Sequence, residues 1–353
     1  MTSGQLKGSL LEYLVKKLLL NCGFTYVKPD GHYIWAQNGT GLFYINGKGA
    51  AHDADVLMEP PIQIPFSYPS RLLFECKAYN SNVGLNVIRN ALGLRYDINE
   101  FEIITDKSIE QRKNNKRASY AISDRKRFNY QVGVASVELF SASAIEFAAN
   151  NKIPLLSMRW FLSDTVCDLF TLINSGYLKN ISNKIQQELY RIFKFKDPTN
   201  LYMESEIEDF LESDEIIGKI IKDFNQVINR SYIGLIETGD LIFLITEDKR
   251  NSNILDHQRS FDSLQAKIHY YKEEPNTWLL NLRDSDINVN FKFFVPDSIM
   301  QMWKNYSLDK NVAIDLKEQF FSRMFIFTQR QRSNRLPFIL ANINKDWLER
   351  IKE

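Results

Sequence analysis

The feature that most constrains the fold of this chain is a pair of short apolar segments joined by a proline-rich connection. Asp55 is followed by the apolar residues 56–58, and the mainly apolar residues 71–74 lead directly into Glu75. Residues 60–69 contain four prolines, which exclude a continuous helix because proline lacks the backbone donor that a helix interior needs. Short apolar runs bounded by such breaks are typical of β-strands. We therefore expect two neighbouring strands, each with a carboxylate at one end.

The second strand ends in a charged pair whose direction follows from strand geometry. Residues two apart share a face of a strand, so Glu75 and Lys77 should point one way while Phe74 and Cys76 point toward a core. Burying ionisable groups is costly unless they pair with one another or with a metal. Carboxylates such as Asp55 and Glu75 suit a hard divalent cation, above all Mg²⁺. With Lys77 orienting or deprotonating a water, this pattern predicts metal-assisted hydrolysis of a phosphodiester.

The same residues resemble the motif of the PD-(D/E)XK nuclease superfamily, in particular its Mrr-like restriction endonucleases. Four flanking segments occur in the family's order: residues 8–12, 52–56, 82–93 and 141–156. The resemblance covers about residues 1–160 and implies an α/β fold, a restriction-endonuclease-like mixed sheet flanked by helices. It also implies that Asp55 and Glu75 bind Mg²⁺, with Mn²⁺ as a substitute, and that Glu12 assists Lys77 in catalysis. The sequence departs from the family pattern in having no proline before Asp55 and a long connection to Glu75.

Two of these interpretations have simpler alternatives, and His52 allows two interpretations of its own. A single D…ExK pattern is common on half-exposed strands, so a structural cluster or an inactive copy of the fold remains open. Glu12 can be a solvated helix residue that pairs with Lys16 four positions later. His52 can contact a substrate phosphate, or it can be a structural histidine with a local hydrogen-bond partner.

Residues 107–127 form the most basic segment of the chain. They contain eight Lys or Arg residues and two acidic residues, a local excess of six positive charges. Neutralising phosphates supplies most of the nonspecific affinity of proteins for DNA, so this segment is a predicted backbone-binding surface. A solvated charged face is the alternative. The predicted nucleic-acid contacts are His52, Arg112, Lys113, Lys116, Arg117, Arg125, Lys126 and Arg127.

The length of 353 residues favours more than one domain. We assign residues 1–160 to a nuclease-like catalytic domain and residues 161–216 to a helical connector with an acidic linker. Residues 217–353 are expected to form an α+β domain that recognises a target or has a regulatory role. The residues of this last part show no resemblance to a known family.

Composition bears on the compartment and on the function class. Three cysteines without a CxxC pair indicate a reducing, cytoplasmic compartment. The sequence shows no signal peptide and no run of eighteen apolar residues, so we expect no membrane association. The predicted function is a Mg²⁺-dependent endonuclease that cuts DNA in restriction or another defence against foreign DNA. The alternatives are a noncatalytic nucleic-acid-binding subunit on a nuclease-like scaffold and a nuclease acting on RNA. A homodimer and a partner protein of a defence system both remain open.

Overall fold

The structure is a computed structural model that describes most of the chain. The described residues are 1–31, 33–36, 43–63, 67–101, 127–195, 203–237, 239–247, 263–271, 277–284, 287–327 and 338–352. Most of the predicted basic segment, residues 107–126, lies outside these ranges.

The first part of the chain contains eight strands and three helices within the described residues. In chain order they are α1 (Ser3–Asn21), β1 (Thr25–Tyr26), β2 (Ile34–Ala36), β3 (Phe43–Asn46), β4 (Ala51–Asp53), β5 (Val56–Glu59), β6 (Ser70–Lys77), α2 (Leu85–Asn99), β7 (Asn129–Ser136), α3 (Ala142–Asn150) and β8 (Leu155–Ser157). Strands β2, β3 and β4 form a small antiparallel sheet. The other five form a mixed sheet in the order β1-β5-β6-β7-β8.

Helices cover both faces of the mixed sheet, as the sequence predicts for an α/β fold. Strand β5 runs antiparallel to β6, whereas β6, β7 and β8 are parallel to one another. One face packs against α1, whose leucines at positions 6, 10, 14 and 18 are fully buried, and the other packs against α2 and α3. Parallel strands need crossover connections, and α2 and α3 lie within the two that join β6, β7 and β8. The expected α/β class is therefore confirmed.

A helical layer follows the first sheet. It contains a short 3₁₀ turn (Met158–Trp160) and the helices α4 (Asp164–Leu172), α5 (Ser175–Lys179), α6 (Asn183–Lys194), α7 (Ser205–Ser213) and α8 (Ile217–Ile228). Four acidic residues of the expected acidic linker lie on α7, namely Glu206, Glu208, Asp209 and Glu212. Helices α6 and α8 pack against the outer side of α1, so that α1 lies between the sheet and the helical layer.

The remaining strands close into a barrel. They are β9 (Ser231–Ile236), β10 (Leu241–Thr246), β11 (Leu264–Tyr270), β12 (Thr277–Asp284), β13 (Ile287–Phe294), β14 (Arg323–Phe327) and β15 (Phe338–Ile343), in the order β10-β13-β12-β11-β15-β14-β9. Helices α9 (Asp297–Asn305), α10 (Lys310–Phe321) and α11 (Lys345–Arg350) complete this part. Strands and helices are expected here from the sequence, but the closed barrel is not.

The barrel has its own aromatic core and also touches the first part of the chain. Trp278, Trp303 and Phe321 belong to that core, together with apolar residues from the strands. On the outside of the barrel, Phe327 meets Phe24 edge to face, with ring centroids 6.4 Å apart. Over the residues described, no helix combines the length and the hydropathy needed to cross a membrane.

Candidate active site

Strands β5 and β6 bring the three residues of the sequence motif together. Val56 pairs with Phe74 across the two strands, so the residue before β5 lies beside the end of β6. The Asp55 carboxylate accepts a hydrogen bond from the backbone N–H of Cys76 at 2.9 Å. Lys77 Nζ donates to Glu75 Oε2, also at 2.9 Å. Both side chains of this pair are partly exposed, whereas Phe74 and Cys76 are buried, as the strand alternation predicts.

Glu12 reaches the same site from helix α1 and is almost completely buried, with 3% of its surface exposed. Its Oε1 accepts a hydrogen bond from Lys194 Nζ at 2.6 Å. Its Oε2 is also buried, and within the described residues it has no hydrogen-bond partner. The alternative of a solvated Glu12 paired with Lys16 is therefore wrong. Helix α1 is covered on both sides, and Lys16 donates instead to the carbonyl oxygens of Phe193 and Phe195.

Lys194 is the site residue that the sequence did not reveal. It is the last residue of α6 and lies 182 positions from its partner Glu12. The ammonium group is also close enough to Asp55 and Asp53 to be influenced by their charges. Sequence reasoning can detect residues that are neighbours on one strand or helix. No local pattern marks Lys194, because the docking of two helices brings it to Glu12.

Burial and charge perturb the acid–base behaviour of the carboxylates. Burial, reinforced by the nearby charge of Asp55, raises the pKa of Glu12 to about 7, although Lys194 and Lys16 act in the opposite direction. Burial and the charge of Asp55 likewise raise the pKa of Glu75. Carboxylates that repel one another in a partly buried site are stabilised when a cation binds between them.

The ammonium groups respond in the opposite sense. Burial alone would lower the pKa of Lys77, but the adjacent Glu75 and the nearby Asp55 raise it above the ordinary lysine value. The pKa of Lys194 is raised in the same way, chiefly by Glu12. Both lysines therefore remain charged at neutral pH, and each holds one carboxylate of the site.

The oxygen ligands of this site suit a hard divalent cation. Asp55, Glu75 and Glu12 supply carboxylate oxygens, the ligand type that Mg²⁺ prefers. Glu12 Oε2 has no hydrogen-bond partner in the part of the chain that the structure describes, and a metal would supply one, since a buried oxygen without a partner is unfavourable. In the described part of the chain, no three His, Cys, Asp or Glu side chains are grouped closely enough to hold a metal as they stand. The carboxylates of the site nevertheless fit a divalent cation by their chemistry.

The predicted nucleic-acid contacts lie in different places. His52 Nε2 is 2.6 Å from Asp97 Oδ2, which matches the structural alternative for this histidine. Asp97 also accepts the backbone N–H of Gly49 at 2.7 Å, and its hydrogen bond with His52 lowers the pKa of Asp97. Arg127 is exposed, with its guanidinium 5.2 Å from the ring centroid of Tyr68. The other predicted contacts lie outside the described residues: Arg112, Lys113, Lys116, Arg117, Arg125 and Lys126.

Comparison with models of known protein families gives no match, and comparison with curated proteins also gives none. Among solved structures, the crystal structure of a protein of unknown function designated AF1548 aligns with this chain. The alignment covers 62% of this chain and 98% of the AF1548 chain. The sequence identity is 14% and the TM-score is 0.31. An alignment at this score supports no conclusion about fold or function.

Proposed function

We propose that this chain is a Mg²⁺-dependent endonuclease that hydrolyses phosphodiester bonds in DNA, in restriction or another defence against foreign DNA. One observation carries the proposal: Asp55, Glu75 and Lys77 lie together at the end of two paired strands, and Glu12 joins them from α1. Two carboxylates beside a charged lysine are costly for packing alone, and so is a third carboxylate next to Asp55 with one buried oxygen that has no partner among the described residues.

The order of elements around the site supports the same proposal. Helix α1 precedes the antiparallel strands β5 and β6, and α2 then leads to the parallel strand β7. This order is similar to that of restriction-endonuclease-like domains, in which a mixed sheet flanked by helices carries the acidic residues and the lysine. The likeness extends to α3 and β8, which follow β7 as the resemblance in sequence leads us to expect.

The chain's own residues would divide the work as follows. Asp55 and Glu75 would hold the cation, and Glu12 Oε2 would add a third carboxylate ligand. A bound Mg²⁺ polarises the phosphoryl oxygen and lowers the pKa of a water. Lys77, held at 2.9 Å by Glu75, would orient the attacking water and offset the negative charge that develops on the phosphate. The Cys76 N–H fixes the Asp55 carboxylate in position.

The test is cleavage of matched DNA and RNA by the purified chain, with Mg²⁺ and with a chelator. Asp55→Asn and Glu75→Gln keep hydrogen-bonding ability but remove the charge, so each should lower cleavage by on the order of a thousandfold. Glu188→Gln is the matched control, because Glu188 is a carboxylate on α6 that pairs with Arg191 away from the site. Its activity should equal that of the wild type.

The outcomes separate the proposal from its alternatives. DNA cleavage that survives excess chelator would contradict the metal-dependent mechanism. Binding of nucleic acid without cleavage under any condition would favour the noncatalytic subunit. Cleavage of RNA alone would show that the substrate is RNA and not DNA.

A further inference from the structure

Lys194 comes from outside the sheet that carries the motif, yet it belongs to the site. It is the last residue of α6 and only 8% of its surface is exposed. The Lys16 ammonium binds the carbonyl oxygens of Phe193 and Phe195, the residues on either side of Lys194. The end of α6 is thus fixed against α1 at two points, and the Lys194 ammonium is held at Glu12 Oε1 with little freedom to leave.

The two oxygens of Glu12 are therefore not equivalent. Oε1 is occupied by the ammonium at 2.6 Å, whereas Oε2 is buried and has no hydrogen-bond partner within the described residues. A carboxylate that bridges two metal ions uses both of its oxygens. Glu12 can offer one oxygen to a cation while the other stays with Lys194.

The formal charge of the site leads to the same conclusion. The carboxylates of Glu12, Asp53, Asp55 and Glu75 influence one another or the same lysines. When a cation binds at Glu12 Oε2, Glu12 is ionised, so these four carboxylates carry four negative charges. Against them stand three ammonium groups, those of Lys16, Lys77 and Lys194, which leaves a formal charge of −1 before the metal is counted. One divalent ion brings the charge to +1, and a second would bring it to +3. Uncompensated charge is expensive in a partly buried site.

We propose that Lys194 takes the place of a second metal ion at Glu12, so that the site binds a single divalent cation. This inference rests on the proposed function, because it concerns the same metal site. It assigns a role to the helical layer: α6 supplies a fixed positive charge where a two-metal site would use a second ion. Lys194 is in this sense a positioning residue, since it acts through Glu12.

The experiment is a titration of the full chain with Mn²⁺, followed by calorimetry and by electron paramagnetic resonance, without nucleic acid. The wild type should bind one ion. Lys194→Met removes the charge and also frees Glu12 Oε1, so it should bind two ions and should bind the first about tenfold more tightly or better. Lys184→Gln is the matched control, because Lys184 lies on the same helix and pairs with Glu204 and Glu206 away from the site. It should behave as the wild type.

A second neutral variant, Lys194→Gln, removes the charge but keeps a hydrogen-bond donor for Glu12 Oε1, so it should bind one ion more tightly than the wild type does. Circular dichroism checks that each variant is folded. Two ions in the wild type, or one ion in folded Lys194→Met, would overturn the inference; the wild-type result requires no variant at all. A wild type that cleaves DNA with two ions bound overturns this inference and leaves the proposed function intact. A wild type that binds no ion overturns this inference, and the cleavage assay with Mg²⁺ and with a chelator then decides the proposed function separately, because Mg²⁺ sites often include substrate phosphates among their ligands.

Discussion

Replacing Lys317 by methionine should stabilise the protein at neutral pH, because its ammonium group is buried without an anionic partner among the described residues. Lys317 lies on α10 and is 8% exposed. Its Nζ is 5.5 Å from the ring centroid of Trp278 and 5.5 Å from that of Trp347. Methionine has a similar length and volume, so it can fill the same space without a charge.

The expected magnitude follows from the acid–base behaviour of the group. Burial lowers the pKa of Lys317 from 10.5 to about 8, a difference that corresponds to about 3 kcal/mol of unfavourable free energy when the group is charged. Cation–π attraction to the two indole rings offsets roughly 1 kcal/mol of this unfavourable free energy. The methionine variant should therefore be about 2 kcal/mol more stable than the wild type at pH 7.

The pH dependence has a definite sign. Between pH 8 and 10.5 the unfolded wild type binds more protons at this lysine than the folded one, so the wild type gains stability as the pH rises through this window. The methionine variant has no such group. Its advantage should be fully present below pH 8 and should fall below about 1 kcal/mol at pH 10.

Denaturant unfolding followed by tryptophan fluorescence measures this difference, since Trp278, Trp303 and Trp347 lie in the core around Lys317. Lys310→Met is the control, because Lys310 begins the same helix and is exposed. A methionine variant that is less stable than the wild type at pH 7, or an advantage that does not change with pH, would refute the reasoning.

Two further predictions concern the proposed nuclease. Lys77→Ala should bind DNA nearly as well as the wild type but cleave it orders of magnitude more slowly, and Lys77→Arg should not restore cleavage, since guanidinium is larger and planar. Full single-turnover cleavage by the arginine variant would contradict the role of Lys77 at the water. Charge reversal at the four basic residues between positions 112 and 117 should weaken DNA binding for all sequences alike, and it should reduce the salt dependence by roughly one unit for each phosphate that the segment no longer neutralises. An unchanged salt dependence would indicate that this segment is a solvated charged face that does not contact DNA.

The sequence predicts the local geometry of the site and misses what distant elements add. Period-two alternation correctly places Glu75 with Lys77 and buries Phe74, because one strand determines all three directions. The leucines of α1 recur at every fourth position on its buried side, but this spacing does not reveal that a second helical layer covers the side bearing Glu12. Because this layer covers α1, Glu12 is buried rather than solvated, and Lys194 of the layer pairs with it.

The barrel shows the same limit on a larger scale. Apolar runs identify several of its strands, yet closure depends on which strands pair. Strand β15 pairs in parallel with β11 and antiparallel with β14, and its partner β11 is far away in the sequence. Pairing at such separations leaves no periodic signal in one sequence, and the sequence does not predict β14 or β15.

Helix α1 is enclosed by the sheet on one side and by α6 and α8 on the other. Lys17 Nζ donates to Asn225 Oδ1 at 2.9 Å, and Asn21 Nδ2 donates to the carbonyl of Ile228 at 2.7 Å. A protein cut after residue 160 would expose the outer apolar side of this helix to water, a surface of the kind that promotes aggregation. The smallest fragment that could be purified, or transplanted into another protein as a nuclease, is therefore the sheet together with the helical layer.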